Sequence, residues 1–468
     1  MTCPRPHDLL AALAVAGVVA ALALTPGRLF ALAATIGLHP PVAHAAPVAH
    51  AAPGDCPPAV GAISIRGNQR THCEVIEREL ACRSGDPAGG LDCARIETRL
   101  RNLHLFSDVS VRTVSAVRAA SNDSLPAGDP CAVDLLIDVR ERPAIWPFPI
   151  FSTTGKSGLS AGGGLAYRNF RGQNERLELA GQLGGVRGFS FAWANPWLAG
   201  NHLSAGVSTS YSLVRNRYDD FDEATFGVSA VLGTYLSAGE HWRGRLGASY
   251  VSLHSQEPGK TVSPDDHDRI HGVSVALAYD TRDLYRNPRR GHQHSATAAW
   301  FGQGLGGTVD YTQLVLDVRR FQPVRWGRTL AVGARWIRQA GTVPEYRQVR
   351  LGGSSTIRGY ADGALEGDHG AFGSIEWRFD LAPPVGRNLW LAENVDVGLS
   401  GALFADAGAT WGRAGSGGAA DPLTWADFAT AFGAGLRLLV PWVEVVRADL
   451  AVTESGRVAV VLGEGMKF

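Results

Sequence analysis

The last two thirds of the chain alternate apolar and polar residues over many short segments. Residues 371–381 are an example: one face would carry Ile375, Trp377, Phe379 and Leu381, and the other Ser374, Glu376, Arg378 and Asp380. Successive side chains of a strand point to opposite faces, so this period of two predicts β-strands. No apolar run long enough for a spanning helix follows residue 24. The region is therefore a large soluble β protein or a transmembrane β-barrel, which spreads its apolar signal over alternate residues.

The polar faces of these segments favour the barrel. They are rich in glycine, serine and alanine, and tryptophans recur near segment ends, at Trp193, Trp197, Trp300 and Trp442. Small inward residues and aromatic girdles are typical of membrane barrels. Strands of ~10 residues with connections of similar length give about 16 strands over residues 146–468. We therefore predict a mostly β fold: a transmembrane antiparallel barrel with a small α+β domain before it.

The N-terminal region indicates export. Residues 9–24 are almost purely apolar and small residues follow, so we expect a signal peptide at residues 1–45 and a linker at 46–57. A membrane-spanning helix is the alternative. All cysteines beyond residue 45 lie between positions 56 and 131, and Cys82 and Cys93 form the best candidate disulfide. Neither a Cys-x-x-Cys motif nor a nearby histidine pair suggests zinc.

Residues 58–143 read as strand, helix, helix, strand, strand, which makes one small α+β domain. Thr71 and Glu74 have the spacing of a capping box at the first helix. The second helix should span residues 92–103, with Ile96 and Leu100 on its apolar stripe. An open edge of the domain's sheet could pair with an extended peptide by strand addition.

One glycine-bearing loop carries the best candidate site. Gly352 and Gly353 lie in it, and Arg358, Gly359 and Tyr360 close it. Strand parity then places Glu376 and Asp406 on inward faces, where carboxylates can accept from both arms of a guanidinium. Phe404 and Tyr360 offer rings for stacking. The pattern predicts an architectural loop clamp centred on Arg358; a solvated loop arginine with no fixed partner is the alternative.

Several motifs resemble those of the outer-membrane assembly and two-partner-secretion superfamily, which includes BamA, TamA and FhaC. They occur along the chain in the same order as in that superfamily. Residues 67–68, 103–109 and 139–143 resemble a POTRA domain. The barrel motifs are residues 167–173, the turn motif Asp280, Arg282 and Asp283, the Arg358 loop, and residues 433–437 ahead of a terminal strand ending in Met466 and Phe468. The resemblance implies that the loop enters the barrel, that Arg358 latches it to the inner wall, and that Met466 and Phe468 signal to assembly factors.

Two features depart from the family pattern. The chain has room for a single POTRA domain, whereas the named relatives have more than one. Glu464 interrupts the outward apolar register of the last strand, expected at residues 458–468. The first barrel strand is expected near residues 159–167, and a seam between first and last strands would open to template a client.

Composition narrows the function further. Basic and acidic residues number 44 each, so no net charge draws the chain to nucleic acid. Acidic clusters at residues 219–223 and 265–268 are read as solvated loops rather than metal sites. No nucleophile elbow, phosphate-binding loop or His-Glu-x-x-His motif is present, so we expect no enzyme activity, catalytic residue, metal or cofactor.

The resemblance leads to one functional hypothesis and two alternatives. The chain would sit in the outer membrane of a Gram-negative cell, with its N-terminal domain in the periplasm, and insert barrel proteins after capturing them unfolded. Its partners would be unfolded outer-membrane or secreted polypeptides, lipid and lipopolysaccharide, with periplasmic chaperones or accessory lipoproteins as further candidates. The alternatives are a secretion pore for one dedicated protein and a barrel anchor without assembly activity.

Overall fold

The computed structural model describes residues 58–80, 82–115, 132–199, 202–237, 240–285, 287–325, 328–389, 392–412, 427–440, 444–465 and 467. The expected signal peptide and linker lie outside these ranges, as do Cys56, Cys131, Met466 and Phe468. The described residues divide into two compact units: a small one of the residues up to Arg142 together with Arg171–Asn174, and a large one of Pro143–Phe170 and the residues from Glu175 onward. Among the described residues, none of the helices combines the length and hydropathy that a bilayer crossing requires.

The small unit packs two helices on a three-stranded sheet. Its elements are β1 (Ala59–Arg66), α1 (Cys73–Glu77), α2 (Cys93–Asn102), β2 (Phe106–Ser115) and β3 (Ala132–Glu141). The strand order is β1-β3-β2, with β1 parallel and β2 antiparallel to β3. Fully buried side chains from both helices and from β3 form the core, namely Ile76, Leu100, Leu135 and Ile137. The predicted order of elements is present, and the outer edges belong to β1 and β2.

The first helix does not begin as predicted. It starts at Cys73, with His72 at the N-cap position and no side-chain cap. The Thr71 hydroxyl donates instead to Glu141 Oε1 at 2.6 Å. Burial raises the pKa of Glu141, but hydrogen bonds from Thr71 and Arg70 outweigh it and hold that pKa below its usual range. The predicted capping box is therefore wrong, because the Thr71 hydroxyl bonds to a carboxylate distant in sequence and not to the helix.

The predicted disulfide is absent. Cys82 and Cys93 are free thiols, as is the exposed Cys73. Both Cys82 and Cys93 are half-buried and pack against the core of the small unit, so each behaves as a small apolar side chain. Burial raises the pKa of both thiols, and nearby acids, Asp86 and Asp92 among them, raise it further.

The large unit is a sheet of sixteen antiparallel strands in which almost every strand pairs with its sequence neighbours. The strands are β4 (Ile145–Thr154), β5 (Gly158–Phe170), β6 (Glu175–Gly184), β7 (Val186–Ala199), β8 (Leu203–Asn216), β9 (Phe221–Tyr235), β10 (Trp242–Ser255), β11 (His267–Asp280), β12 (Gly291–Gly302), β13 (Asp310–Val324), β14 (Arg328–Thr342), β17 (His369–Leu389), β18 (Ala392–Trp411), β19 (Ala429–Val440), β20 (Glu444–Thr453) and β21 (Val458–Glu464). A separate hairpin, β15 (Val349–Leu351) with β16 (Leu365–Gly367), lies in the connection from β14 to β17. The predicted strand number is confirmed.

The exposure of this sheet is the reverse of that of a soluble protein. On β17, Ile375 is 51% exposed, whereas Glu376 is fully buried and Ser374 nearly so. On β21, Val460 and Leu462 are more than two-thirds exposed. A face of exposed aliphatic side chains this extensive needs a non-aqueous neighbour, while polar groups pack on the inside. The structure thus decides between the two readings of the alternating segments, and the sheet is a membrane barrel.

The two ends of the sheet differ from the sequence prediction. The first strand is β4, which contains Pro147 and Pro149, and residues 159–167 belong to the second strand. The last strand ends at Glu464, whereas the sequence predicted a strand at residues 458–468. Gly465 follows in the left-handed region, with φ +72°. Among the described residues, no backbone ladder joins β4 to β21.

The thiol assignment predicts a labelling order. Under non-reducing conditions at pH 8, a maleimide should modify Cys73 fastest, and Cys82 and Cys93 more slowly, because burial limits access and raises the thiol pKa of the latter two. Peptide mass spectrometry of the folded protein would measure all three. Peptides containing Cys82 and Cys93 that label only after reduction would show that a disulfide forms after all.

Candidate functional site: the Arg358 clamp inside the barrel

The loop that carries Arg358 is held at its base by a short hairpin. Strands β15 and β16 pair Val349 with Gly367 and Leu351 with Leu365. Ile357, next to the arginine, is fully buried in an apolar cluster with both β15 residues and alanines of β19. The loop tip is thus packed on the inner wall of the barrel before any charge is considered.

Three of the loop glycines are required by backbone geometry. Gly352 has φ +128°, and a Cβ there would lie 2.0 Å from the carbonyl oxygen of Ala361. Gly359 has φ +93° and packs close to Thr453 and Ala451 of β20. Gly353 also has positive φ, at +75°. L-residues rarely adopt these conformations, so the glycines let the loop fold tightly against the wall.

Every side-chain N–H of Arg358 has an acceptor. Its Nε and Nη2 donate to the two oxygens of Asp406 at 2.7 and 2.8 Å. Its Nη1 donates to Glu376 Oε1 at 2.7 Å and to Asp449 Oδ2 at 3.2 Å, and Nη2 also donates to Ser374 Oγ at 3.2 Å. The arginine and its acid partners are fully buried or nearly so. Arg358 is therefore not a solvated loop arginine without fixed partners, since both predicted acids, Glu376 and Asp406, contact it.

One predicted ring stacks on the guanidinium and the other does not. The Arg358 Cζ lies 3.4 Å from the centroid of the Phe404 ring. The Tyr360 hydroxyl instead donates to Glu454. Burial and this hydrogen bond raise the pKa of Tyr360 to about 12. Tyr360 therefore fastens the loop at a second point, to the turn after β20, rather than stacking on Arg358.

The network is larger than the sequence indicated. It includes Arg437 on β19, which the sequence marked only as part of the motif at residues 433–437, and Asp449 on β20. Arg437 donates to Glu376 and Asp449, and Arg378 donates to Glu376. Ser374 donates to Asp406 at 2.5 Å. Period-two parity could have placed these side chains inward, but it could not say which of the many inward polar residues meet at one level of the barrel.

The end of the chain also joins the clamp. Lys467 Nζ lies 2.7 Å from Asp406 Oδ1, and the lysine side chain is 1% exposed. It donates as well to the backbone carbonyl of Thr356 in the clamp loop. Asp406 therefore accepts from the loop arginine, from β17 and from the segment that follows the last strand. Strand parity, with Met466 and Phe468 outward, would have faced Lys467 inward, but it gave no indication that this lysine reaches Asp406.

The turn motif is a separate structural device. Arg282 makes a two-pronged pair with Asp280, with Nε–Oδ1 at 3.0 Å and Nη2–Oδ2 at 2.7 Å. Asp283 Oδ1 accepts from the backbone N–H groups of Arg289 and Arg290. These contacts close the connection from β11 to β12, so the motif shapes a turn distant in sequence from the clamp.

One acidic cluster has the geometry of a metal site. Carboxylate oxygens of Asp219, Glu345 and Glu366 lie within 4.8 Å of one another. Arg350 already supplies a positive charge there, since its guanidinium contacts Asp219 at 2.7 Å and Glu366 at 2.9 Å. Arg350 thus offsets one of the three negative charges and occupies oxygens of two of the carboxylates.

Replacing Arg358 should weaken the barrel. Arg358→Ala would leave buried carboxylates short of their partner, at a cost of about 3–5 kcal/mol. Arg358→Lys should rescue only part of this loss, because an ammonium lacks the planar fork. The temperature at which the folded band disappears in SDS gel electrophoresis would measure both effects, and we expect it to fall most for alanine.

Arg215 provides the matched control. It also pairs with carboxylates, with Asp220 at 2.6 Å and Glu257 at 2.9 Å, but it is exposed. Arg215→Ala should leave the transition temperature close to that of the wild type, since exposed pairs contribute little. Equal transition temperatures for Arg358→Ala and Arg215→Ala would contradict the clamp.

The glycine geometry gives a second test. Gly352→Ala should displace the loop, because its Cβ would meet the Ala361 carbonyl oxygen and its φ is unfavourable. Gly304→Ala is the control, since a Cβ there meets nothing within 4 Å. Limited proteolysis within residues 343–368 should become faster only in the first variant. Equal cleavage rates would show that the loop does not need its tight fold.

Comparison with known proteins places these features in a family. An Omp85 superfamily domain matches residues 169–458. Outer membrane protein assembly factor BamA of Nitratidesulfovibrio vulgaris is 26% identical over 365 residues, which cover 73% of this chain and 44% of that protein. The chloroplastic outer envelope protein 80 of Arabidopsis thaliana is 24% identical over 385 residues, covering 74% and 49%. The chain thus spans about half the length of these curated relatives.

Solved structures share the fold at low identity. The crystal structure of BamA from Haemophilus ducreyi lacking POTRA domains 1-3 aligns with a TM-score of 0.53 at 16% identity, over 87% of this chain and 83% of that one. CdiB from Acinetobacter baumannii aligns with a TM-score of 0.56 at 14% identity, over 87% and 73%. With the matched domain covering more than half of its residues, the chain belongs to the Omp85 superfamily.

Proposed function

We propose that this protein is an outer-membrane assembly factor that inserts unfolded barrel proteins into the lipid bilayer. The observation that carries the proposal is the seam: among the described residues, β4 and β21 end the sheet without a ladder between them. An unpaired strand edge exposes backbone donors and acceptors and so templates another strand. The name of the bacterial relative, an outer membrane protein assembly factor, agrees with this activity.

The clamp loop inside the lumen favours insertion of client proteins at the seam over secretion through the barrel. The clamp loop packs on the inner wall, where Ile357 and Arg358 are fully buried. A pore for an exported chain would need this loop to leave and its ion network to break. Insertion at the seam needs no such displacement, because the client moves sideways into lipid rather than through the lumen.

The small unit fits the role of a POTRA domain that captures clients. Its sheet has the order β1-β3-β2, so β1 and β2 form the outer edges. Residues 85–88 already bond to β1 around Val60, so β2 and the remainder of β1 are the edges without a strand neighbour. An extended polypeptide can add to such an edge through main-chain hydrogen bonds, without a fixed sequence. In this proposal the unit lies in the periplasm and its clients are unfolded outer-membrane polypeptides.

A reconstitution tests the activity. Purified protein in liposomes should speed the appearance of a protease-resistant, heat-modifiable client barrel added from urea. Liposomes without protein and liposomes with Arg358→Ala are the controls; we expect no acceleration in the first and less in the second. A rate equal to that of empty liposomes would contradict the proposal.

Depletion in cells separates the alternatives. Loss of an assembly factor should lower many outer-membrane barrel proteins together, as measured by quantitative proteomics of the membrane fraction. Loss of a single exported protein, with strong conductance of the pure protein in planar bilayers, would favour a secretion pore. An unchanged membrane proteome and secretome would favour a barrel anchor.

A further inference from the structure

The free edge of the first barrel strand can be identified from one hydrogen bond and the register. The Arg168 N–H donates to the Ala144 carbonyl at 2.7 Å. The β4–β5 register pairs Ile145 with Tyr167 and continues without a shift to Thr154 and Gly158. In an antiparallel ladder, every second residue bonds to the same neighbour. Even-numbered residues of β4 therefore bond to β5, and odd-numbered residues direct their backbone groups away from it, towards the seam.

Two of the odd-numbered residues are prolines. Pro147 and Pro149 have no N–H, so at both positions the seam edge can accept a hydrogen bond but cannot donate one. Donors remain on this edge only at Ile145, Phe151 and Thr153 within β4. Proline in a strand is tolerated where its missing N–H faces away from a ladder, which fits this placement.

The last strand keeps all of its backbone donors and acceptors on the edge that faces the seam. The Gly465 N–H donates to Val445 at 2.8 Å and the Thr453 N–H donates to Arg457 at 3.0 Å. Odd-numbered residues of β21 therefore bond to β20, and the even-numbered ones face the seam with both donor and acceptor: Val458, Val460, Leu462 and Glu464. The mismatch at the seam thus comes from β4 alone.

The donor-poor part lies at one end of the seam. The first and last of sixteen antiparallel strands run in opposite directions, so the start of β4 lies at the barrel end where β21 finishes. At that end β21 also stops early: Gly465 turns with φ +72°, and Lys467 is held in the lumen by Asp406. The proline-bearing half of β4 therefore meets the end of the last strand, and the Phe151–Thr153 half meets its beginning.

We infer that Pro147 and Pro149 keep the seam reversible. Each proline leaves one carbonyl on any strand paired opposite it without a donor, and an unpaired backbone group is costly in lipid. A ladder on this edge is thus confined to the Phe151–Thr153 half, whether the partner is β21 or an extended segment of a client. The part that concerns the client rests on the proposed insertase function; the part that concerns β21 does not.

The decisive variant restores both donors. Pro147→Ala/Pro149→Ala should strengthen the seam and raise the temperature at which the folded band disappears in SDS gels. Insertion of a urea-unfolded client barrel into liposomes should slow by about tenfold or more, because each added backbone hydrogen bond shifts an equilibrium several-fold. Phe151→Pro removes one more donor and should lower the temperature at which the folded band disappears.

Pro323→Ala is the control, since this exposed proline of β13 lies in a strand that does not border the seam. It should change neither readout. An unchanged or lower band temperature in the double variant would overturn the inference about the seam. A raised temperature with an unchanged insertion rate would overturn its client part. If the wild type inserts nothing, the proposed function fails, while the band temperatures still decide whether the prolines weaken the seam.

Discussion

The desolvated guanidinium of Arg358 is the constraint around which the large unit is arranged. A buried arginine is tolerated only when all five of its N–H groups find acceptors. Meeting that need brings together Asp406, Glu376 and Asp449 from three separate strands, with Phe404 beneath the plane of the fork. The loop glycines and the β15–β16 hairpin then follow as the means of delivering the arginine to that point.

Such a network fixes position more than it adds stability. Taking several charges out of water cancels much of their mutual attraction, so an apolar core of equal volume could be as stable. An apolar core would not, however, fix the loop in a single position. Because Asp406 also holds Lys467, the same carboxylate sets where the loop lies and where the chain leaves the last strand. The clamp and one end of the seam are therefore linked through a single side chain.

The parts predictable from sequence were those governed by period and parity. Alternation identified the strands, their number and the inward placement of Glu376 and Asp406. The errors arose where a residue distant in sequence supplied the hydrogen-bond partner. The Thr71 hydroxyl, expected to cap a helix, donates to Glu141, and the Tyr360 hydroxyl donates to Glu454. The first strand was missed because Pro147 and Pro149 normally argue against a strand, and only an edge position makes them acceptable.

The sequence by itself determined the class of fold, since a period of two without a spanning apolar run leaves few architectures. It also determined which loop carries the arginine and which glycines let that loop turn. Only the tertiary structure decided that Arg437, Asp449 and Lys467 meet Arg358, because strand parity gives a face but not a height within the barrel. Likewise, the effect of Pro147 and Pro149 can be inferred only from the β4–β5 ladder, which shows that they face the seam. Backbone hydrogen bonding is set by the register between strands and not by local sequence.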